Sequence, residues 1–329
     1  LIFLRQMCSI LANGRTRRIL WRYCVTDVAL GVVSYALYYG LRLLPLDTCS
    51  ALGGGLGLIV GRWRGINRPD THARQTFARL RPESAGKADL DAAMNRMCAN
   101  IGRVSTEYSV LDLLWAADRI TVSGHEHLAN CHRLGRPVIV FGVHLSNWEV
   151  IGAALLGLGY AVCTLYKPTS NRFQDRIANA VRLRGGAELV PPGPRGARQA
   201  YRALTDRRCL FLTWVDEAID GCIRAPAFGR PISRRGNLAA MVRLARVTGA
   251  ETIPAFVERQ SGARFLTTFG PPVELVQAED EKTALLANLQ RLDGLISSII
   301  VPRLEYWRML PAFRFDRLPM FFAAAALAC

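Results

Sequence analysis

Apolar and polar positions change period several times along this 329-residue chain. From Tyr23 to Leu46 the run YCVTDVALGVVSYALYYGLRLLPL carries charge only at Asp27 and Arg42. It predicts a helix that anchors in or spans a membrane, marginal against the roughly 20 apolar residues a span requires. A merely buried helix is the other reading. Tyr35, Tyr38 and Tyr39 would suit an interface belt. A second apolar stretch, Ala51 to Val60, is short and glycine-rich. Residues 70 to 120 then alternate at helical spacing, with a break between two helices at Pro82 and Gly86. Met94, Met97, Cys98, Ile101 and Val104 recur every three or four positions, which predicts a core-facing stripe.

Beyond Arg119 the period shortens. Strands are predicted at Arg119–Gly124, Val138–Val143, Ala161–Tyr166, Glu188–Val190, Cys209–Val215, Glu251–Val257 and Arg264–Phe269, with helices between most of them. A last helix is predicted over Asp280–Val301. Strands alternating with helices imply an α/β fold: a mixed, largely parallel central sheet flanked by helices. The organisation is a basic segment at 1–22, an anchoring helix at 23–46, one large domain at 47–318 and an uninformative tail at 319–329. Met7 is a candidate start. No internal repeat is visible.

The stretch PVIVFGVHLSNWEV, Pro137 to Val150, holds the candidate chemistry. Val138 to Phe141 is wholly apolar, as in a strand buried on both faces. His144 follows that strand and precedes the helical run VIGAALLGLG. Ligands of open α/β sheets bind at the carboxyl ends of strands. A histidine there can take a proton from a hydroxyl and return it later. A carboxylate on its other ring nitrogen would fix the tautomer and stabilise the imidazolium. Glu149, five residues on, is a candidate for that role if the turn brings the two together. Each residue also has a bland reading. His144 can be a strand-end histidine bonded to a backbone carbonyl. Ser146 and Glu149 also have the spacing of a capping box, in which the glutamate bonds back to the cap residue.

Composition narrows the partners. Half of the residues are hydrophobic and the formal net charge is +16. Such an excess fits an anionic membrane surface or phosphorylated substrates. The basic residues are scattered and no nucleic-acid-binding module is visible, so nucleic acid is not an expected partner. Nine cysteines without a CxxC pair suggest reduced thiols, mostly buried. His125, His127, Cys131 and His132 cluster in sequence, but no strand or helix partner for a metal site is evident. A G-x-S-x-G elbow, a Walker loop and a strand-linked G-x-G-x-x-G are all missing, which argues against a serine hydrolase and against nucleotide use.

The stretch GRPVIVFGVHLSNWE resembles the His-x4-Glu block of the bacterial lipid A late acyltransferases, the lauroyl/myristoyl transferase family within the glycerolipid acyltransferase superfamily. Four later blocks agree in order. Tyr166–Asn171 resembles the family's tyrosine-arginine-proline block, with Lys167 in place of arginine. Arg182–Gly186 resembles its basic, glycine-containing block. Trp214–Glu217 resembles its Asp-Gln block, with Glu217 in place of glutamine. Pro226–Pro231 with LARVTGAETIPAFVER resembles its Pro-Phe-Phe-Gly block. The resemblance runs from about Arg103 to Arg317.

It implies an acyltransferase domain over 47–318 that moves a fatty acyl chain from acyl-carrier protein or acyl-CoA to a hydroxyl of a lipid A-type glycolipid. The setting it implies is a bacterial inner membrane, with the catalytic domain facing the cytoplasm. His144 and Glu149 would be the catalytic dyad. Arg184 would stabilise the oxyanion, and Asp216 would orient that arginine or the acceptor. Asn147, Lys167 and Asn171 would complete the substrate-binding set. No metal or organic cofactor is required. Lys167 and Glu217 depart from the family pattern, so an acceptor such as a phosphatidylinositol mannoside or an aminolipid stays open. So does a catalytically inactive lipid-binding protein.

Overall fold

The computed structural model describes residues 14–317 except 67, 69, 170, 207, 208 and 220. The tail at 319–329, Met7 and most of the basic N-terminal segment lie outside the described residues.

Seven strands form one sheet: β1 (Ile120–Ser123), β2 (Val138–Gly142), β3 (Val162–Leu165), β4 (Glu188–Val190), β5 (Leu210–Trp214), β8 (Glu251–Arg259) and β9 (Phe265–Phe269). Their order is β1-β9-β8-β2-β5-β3-β4. Every neighbouring pair is parallel except β8 and β9. A small antiparallel pair, β6 (Ala218–Ile219) and β7 (Cys222–Ile223), follows β5. The mixed, largely parallel sheet expected from the sequence is therefore present.

β2 lies at the centre of the sheet, and all five of its residues are buried. Its alternate side chains enter two separate cores. Ile139 and Phe141 join one with Phe211, Trp307 and Phe313. Val138 and Val140 join the other with Ile151, Leu155 and Leu212. The continuous apolar run is the consequence of a strand with no solvent face.

Helices cover both faces. The N-terminal part comprises α1 (Gly14–Trp21), a π-helical turn over Arg22–Thr26, α2 (Asp27–Arg42) and α3 (Leu46–Trp63). α4 (His72–Leu80) and α5 (Lys87–Glu107) follow, then a 3₁₀ turn over Tyr108–Leu113. The remaining helices are α6 (His125–Arg133), α7 (Glu149–Gly157), α8 (Arg172–Arg184), α9 (Pro194–Thr205), α10 (Asn237–Thr248) and α11 (Glu281–Ile300), the last followed by a 3₁₀ turn over Val301–Tyr306.

The predicted anchor differs in extent from the helices observed. The helical run stops at Arg42, turns at Pro45, and resumes as α3. The glycine-rich stretch from Ala51 to Val60 is thus the middle of an 18-residue helix, not a short separate piece. Thr16–Arg42 and Glu281–Tyr306 are the two segments long and apolar enough to cross a membrane among the described residues. The second is a core helix: Leu285, Leu289, Leu292, Ile296 and Ile300 are buried in the protein interior.

Candidate active site

The site forms where β2 and β5 end side by side. Their parallel register pairs Gly142 with Trp214. Advancing two residues along each strand brings His144 beside Asp216. His144 Nδ1 lies 2.7 Å from Asp216 Oδ1, and the His144 backbone N–H donates to Oδ2 at 2.9 Å. Trp307 Nε1 donates to the same Oδ2 at 2.8 Å. His144, Asp216 and Trp307 are all buried. A buried carboxylate is costly unless its oxygens are hydrogen-bonded, and three nitrogens surround those of Asp216.

A segment far along the chain holds the turn. Leu145 and Trp307 form an antiparallel bridge. Ser146 N–H donates to Tyr306 O at 3.0 Å, and Arg308 N–H donates to His144 O at 2.8 Å. Ser146 sits in the left-handed region, with φ of 52°, which is costly for a residue bearing a Cβ. α5 supports the turn from the other side. Asn100 Nδ2 donates to Ser146 O at 3.3 Å, and Asn147 Nδ2 donates to Glu107 Oε2 at 2.9 Å. Glu107 is itself held by both terminal nitrogens of Arg259, at 2.5 and 2.9 Å.

The expected contact between His144 and Glu149 is not made. Glu149 opens α7 and receives two bonds from Arg182, at 3.2 Å from Nε and 2.5 Å from Nη2. The capping box is not formed either. The cap position of α7 is Trp148, without a side-chain bond, and Ser146 Oγ has no protein partner. The left-handed turn at Ser146 replaces the extended cap geometry that a capping box requires.

Glu217 faces the free side of the imidazole, with Oε2 3.7 Å from His144 Nε2. Lys167 Nζ stands 3.4 Å from the other Glu217 oxygen and donates to Ala218 O at 3.3 Å. Burial opposes the charged form of the His144 ring. The Asp216 carboxylate outweighs it, helped by Glu217 and Glu149, and holds the imidazole pKa above its ordinary value. Burial likewise opposes the Arg182 charge, yet Glu149 more than compensates and keeps the guanidinium firmly protonated.

Next to this histidine lies a cavity of about 360 Å³. Leu111, Trp115, Ala153, Leu156, Val162 and Leu212 supply apolar wall, and Asp112, Glu149, Thr164, Arg182 and Arg184 supply the polar part. Trp214 lines it too, and its ring centroid is 5.1 Å from that of His144. Two glycines make room for the tryptophans. A Cβ on Gly142 would fall 2.5 Å from the Trp214 ring, and one on Gly157 would fall 2.1 Å from Trp115.

The remaining expected residues fall into two groups. Lys167 and Arg184 reach accessible space, Lys167 beside Glu217 and Arg184 at the cavity, bonded to the Tyr38 hydroxyl. Asn147 and Asn171 turn inward. Asn171 caps α8, accepting from Phe173 N–H and Gln174 N–H, and donates to Asp27 O. Sequence reasoning missed Trp307 and Glu107 entirely, and it placed Arg182 only within a block. The signal for Arg182 was its place beside Val181, on the inward face of α8. The His125 to His132 segment forms α6, where His125 Nε2 meets the Tyr160 hydroxyl at 3.0 Å. No group of three or more His, Cys, Asp or Glu side chains is placed to hold a metal among the described residues.

The fold is thus an α/β sheet with a strand-end imidazole, held by a buried carboxylate, near a largely apolar cavity. The chain belongs to the bacterial lipid A biosynthesis acyltransferase family, which matches residues 18–314, and it is an acyltransferase. Membership suggests a membrane-associated protein. Among solved structures it is similar to the 1-acyl-sn-glycerophosphate acyltransferase PlsC from Thermotoga maritima, at 12% identity and a TM-score of 0.37, over 85% of this chain and 98% of that one. A comparison with curated protein sequences returned no match.

Proposed function

We propose that the protein transfers a fatty acyl chain from a thioester donor, acyl-carrier protein or acyl-CoA, to a hydroxyl of a lipid A-type glycolipid. His144 Nε2 takes the proton of the acceptor hydroxyl. The freed oxygen attacks the thioester carbonyl, and a tetrahedral oxyanion forms. Its collapse makes the ester and expels the thiolate, which receives the proton back from the imidazolium. Asp216 serves as the orienting carboxylate: it fixes the tautomer and balances the imidazolium charge. Glu149 acts through Arg182, holding its guanidinium at the cavity. Arg182 and Arg184 are the cations assigned to the developing oxyanion. The cavity behind Trp214 receives the acyl chain.

The observation that carries this reading is one juxtaposition. Trp214 both lines the 360 Å³ cavity and lies 5.1 Å, centroid to centroid, from His144. A chain lying in that cavity would therefore end near the base. The test is transfer of a labelled acyl group from acyl-carrier protein or acyl-CoA to purified glycolipid acceptors, with the product identified by mass spectrometry. Ester formation that disappears in His144→Ala supports the proposal. An inactive chain that still binds lipid would replace it with the lipid-binding reading.

A further inference from the structure

α9 has two faces of opposite character. Gly196, Ala200, Ala203 and Leu204 are buried where the helix packs on β3, β4 and β5. Arg195, Arg198 and Arg202 are exposed on the other side. Their spacing of three and four residues places them in one stripe. The helix, PRGARQAYRALT, contains no acidic residue. None of the three guanidinium groups has a hydrogen-bond or ion-pair partner among the described residues. The helix itself gains nothing from the stripe. Like charges three and four residues apart repel one another. Arg195 also stands in the first turn, at the positive end of the helix dipole. Three arginines held in a row against these penalties mark a surface that faces something outside the chain.

The stripe starts beside the candidate active site. β4 ends at Val190, at the same edge of the sheet as β2 and β5. Val190 O accepts from Tyr166 N–H at 2.9 Å, and the next residue, Lys167, reaches Glu217, which lies 3.7 Å from His144 Nε2. Gly196, in the first turn of α9, sits so close to Pro191 O that a Cβ there would overlap it. From this point α9 runs away from the site. Arg195 is therefore the nearest of the three to the histidine, and Arg202 lies about 10 Å further along the helix axis. The adjoining α10 adds exposed Arg243, and the loop before it adds exposed Arg234.

Charge and spread indicate the occupant. Three cations over about 10 Å are more than a single phosphate group spans. A membrane surface would also need apolar side chains beside the cations, and Tyr201 is the one exposed large hydrophobic residue that α9 offers. A folded protein with an acidic face can meet a rigid row of guanidinium groups with a carboxylate for each. We propose that the Arg195, Arg198 and Arg202 face of α9 is a docking surface for an acyl-carrier protein with an acidic face, which presents its acyl thioester to His144. This rests on the thioester-donor reading above, and it selects the carrier protein over acyl-CoA.

The test reads binding, so its outcome is separate from that of the proposed reaction. Full-length protein in detergent is titrated into fluorescently labelled acyl-carrier protein bearing its prosthetic arm, and Kd is read from anisotropy at low and high salt. The triple variant Arg195→Gln, Arg198→Gln, Arg202→Gln should raise Kd about tenfold at low salt and lose most of its salt dependence, with circular dichroism and melting unchanged. Arg62→Gln, Arg64→Gln, Arg68→Gln removes the same charge from exposed positions at and beyond the end of α3, and should leave Kd within about twofold. A Kd of the α9 variant equal to wild type would overturn the proposal. So would an equal loss in both triple variants, which would trace to net charge alone, and so would a wild-type protein that does not bind the carrier protein. Unchanged carrier binding by an α9 variant that no longer binds phosphatidylglycerol vesicles would assign the face to lipid instead. Carrier binding weakened by the α9 variant alone supports the surface whether or not an ester is formed.

Discussion

Asp216, two residues beyond the end of β5, is the carboxylate that holds His144, two residues beyond the end of β2, at 2.7 Å from Nδ1. Parallel neighbours in register make that pairing almost a geometric necessity. Glu149, on the same loop-helix turn as the histidine, pairs instead with the Arg182 guanidinium.

The first prediction separates the two carboxylates. Asp216→Asn should lower turnover by about 10⁴-fold, because an amide can present its NH₂ to Nδ1 and select the wrong tautomer. His144→Ala should cost at least 10²–10⁴-fold. Both are read as kcat with a labelled thioester, beside circular dichroism to verify folding.

Glu149→Gln tests the Arg182 pair. It leaves a mostly buried guanidinium short of its counter-charge, so stability should fall by roughly 1–3 kcal/mol. Turnover should fall by less than in Asp216→Asn. Equal losses in the two variants would return Glu149 to the histidine's side. Denaturant melts and initial rates on the same preparations decide the matter.

The pH profile carries the third prediction. A general base acts only when unprotonated, and the His144 pKa lies above its ordinary value. The acidic limb of kcat/KM should therefore fall above about 6.5. Glu217→Gln removes a carboxylate 3.7 Å from Nε2, which lowers the imidazole pKa. The limb should then move toward acid, so the variant gains relative activity at mildly acidic pH. A limb that stays in place would remove Glu217 from the electrostatics of the base.

Chain-length selection is the fourth. Gly152 lines the cavity, and a Cβ there meets only Leu212, at 3.8 Å. Gly152→Leu can thus enter the cavity without clashing at its first atom. Leucine also favours the helix over glycine by up to about 1 kcal/mol. The variant should melt no lower than wild type yet prefer shorter acyl donors. Competition between donors of different length, resolved by mass spectrometry of the esters, gives the answer. An unchanged preference would place the acyl chain elsewhere.

Much of the architecture was legible in the chain. The apolar run Val138–Phe141 predicted a strand buried on both faces, and β2 has residues in both cores. The stripe Met94, Met97, Cys98, Ile101 and Val104 predicted the core-facing side of α5, with Ile101 half-buried and the other four buried. His144 could be singled out because a polar, titratable group directly after a buried strand is conspicuous. Asn147 and Asn171 were chosen for their place in motif blocks. Their inward orientation depends on Glu107 and Asp27, 40 and 144 residues away in sequence.

By itself, then, the sequence determined what depends on neighbours along the chain: the strands and helices, the strand-end histidine, and the apolar character of the N-terminal helices. Tertiary structure alone decided which side chains meet across the sheet. β2 and β5 are separated by two further strands in sequence, and no local pattern states that they pair. That adjacency gives His144 its Asp216, and the return of the chain at Tyr306–Arg308 adds Trp307. The glycines of α3 follow the same logic. In sequence they look like a weakened helix. Folded, they allow the backbone contact with α5 that turns the apolar side chains of α3 outward. Local physics sets the conformation of each segment, but a partner far along the chain is chosen only by the packing that brings both segments to one place.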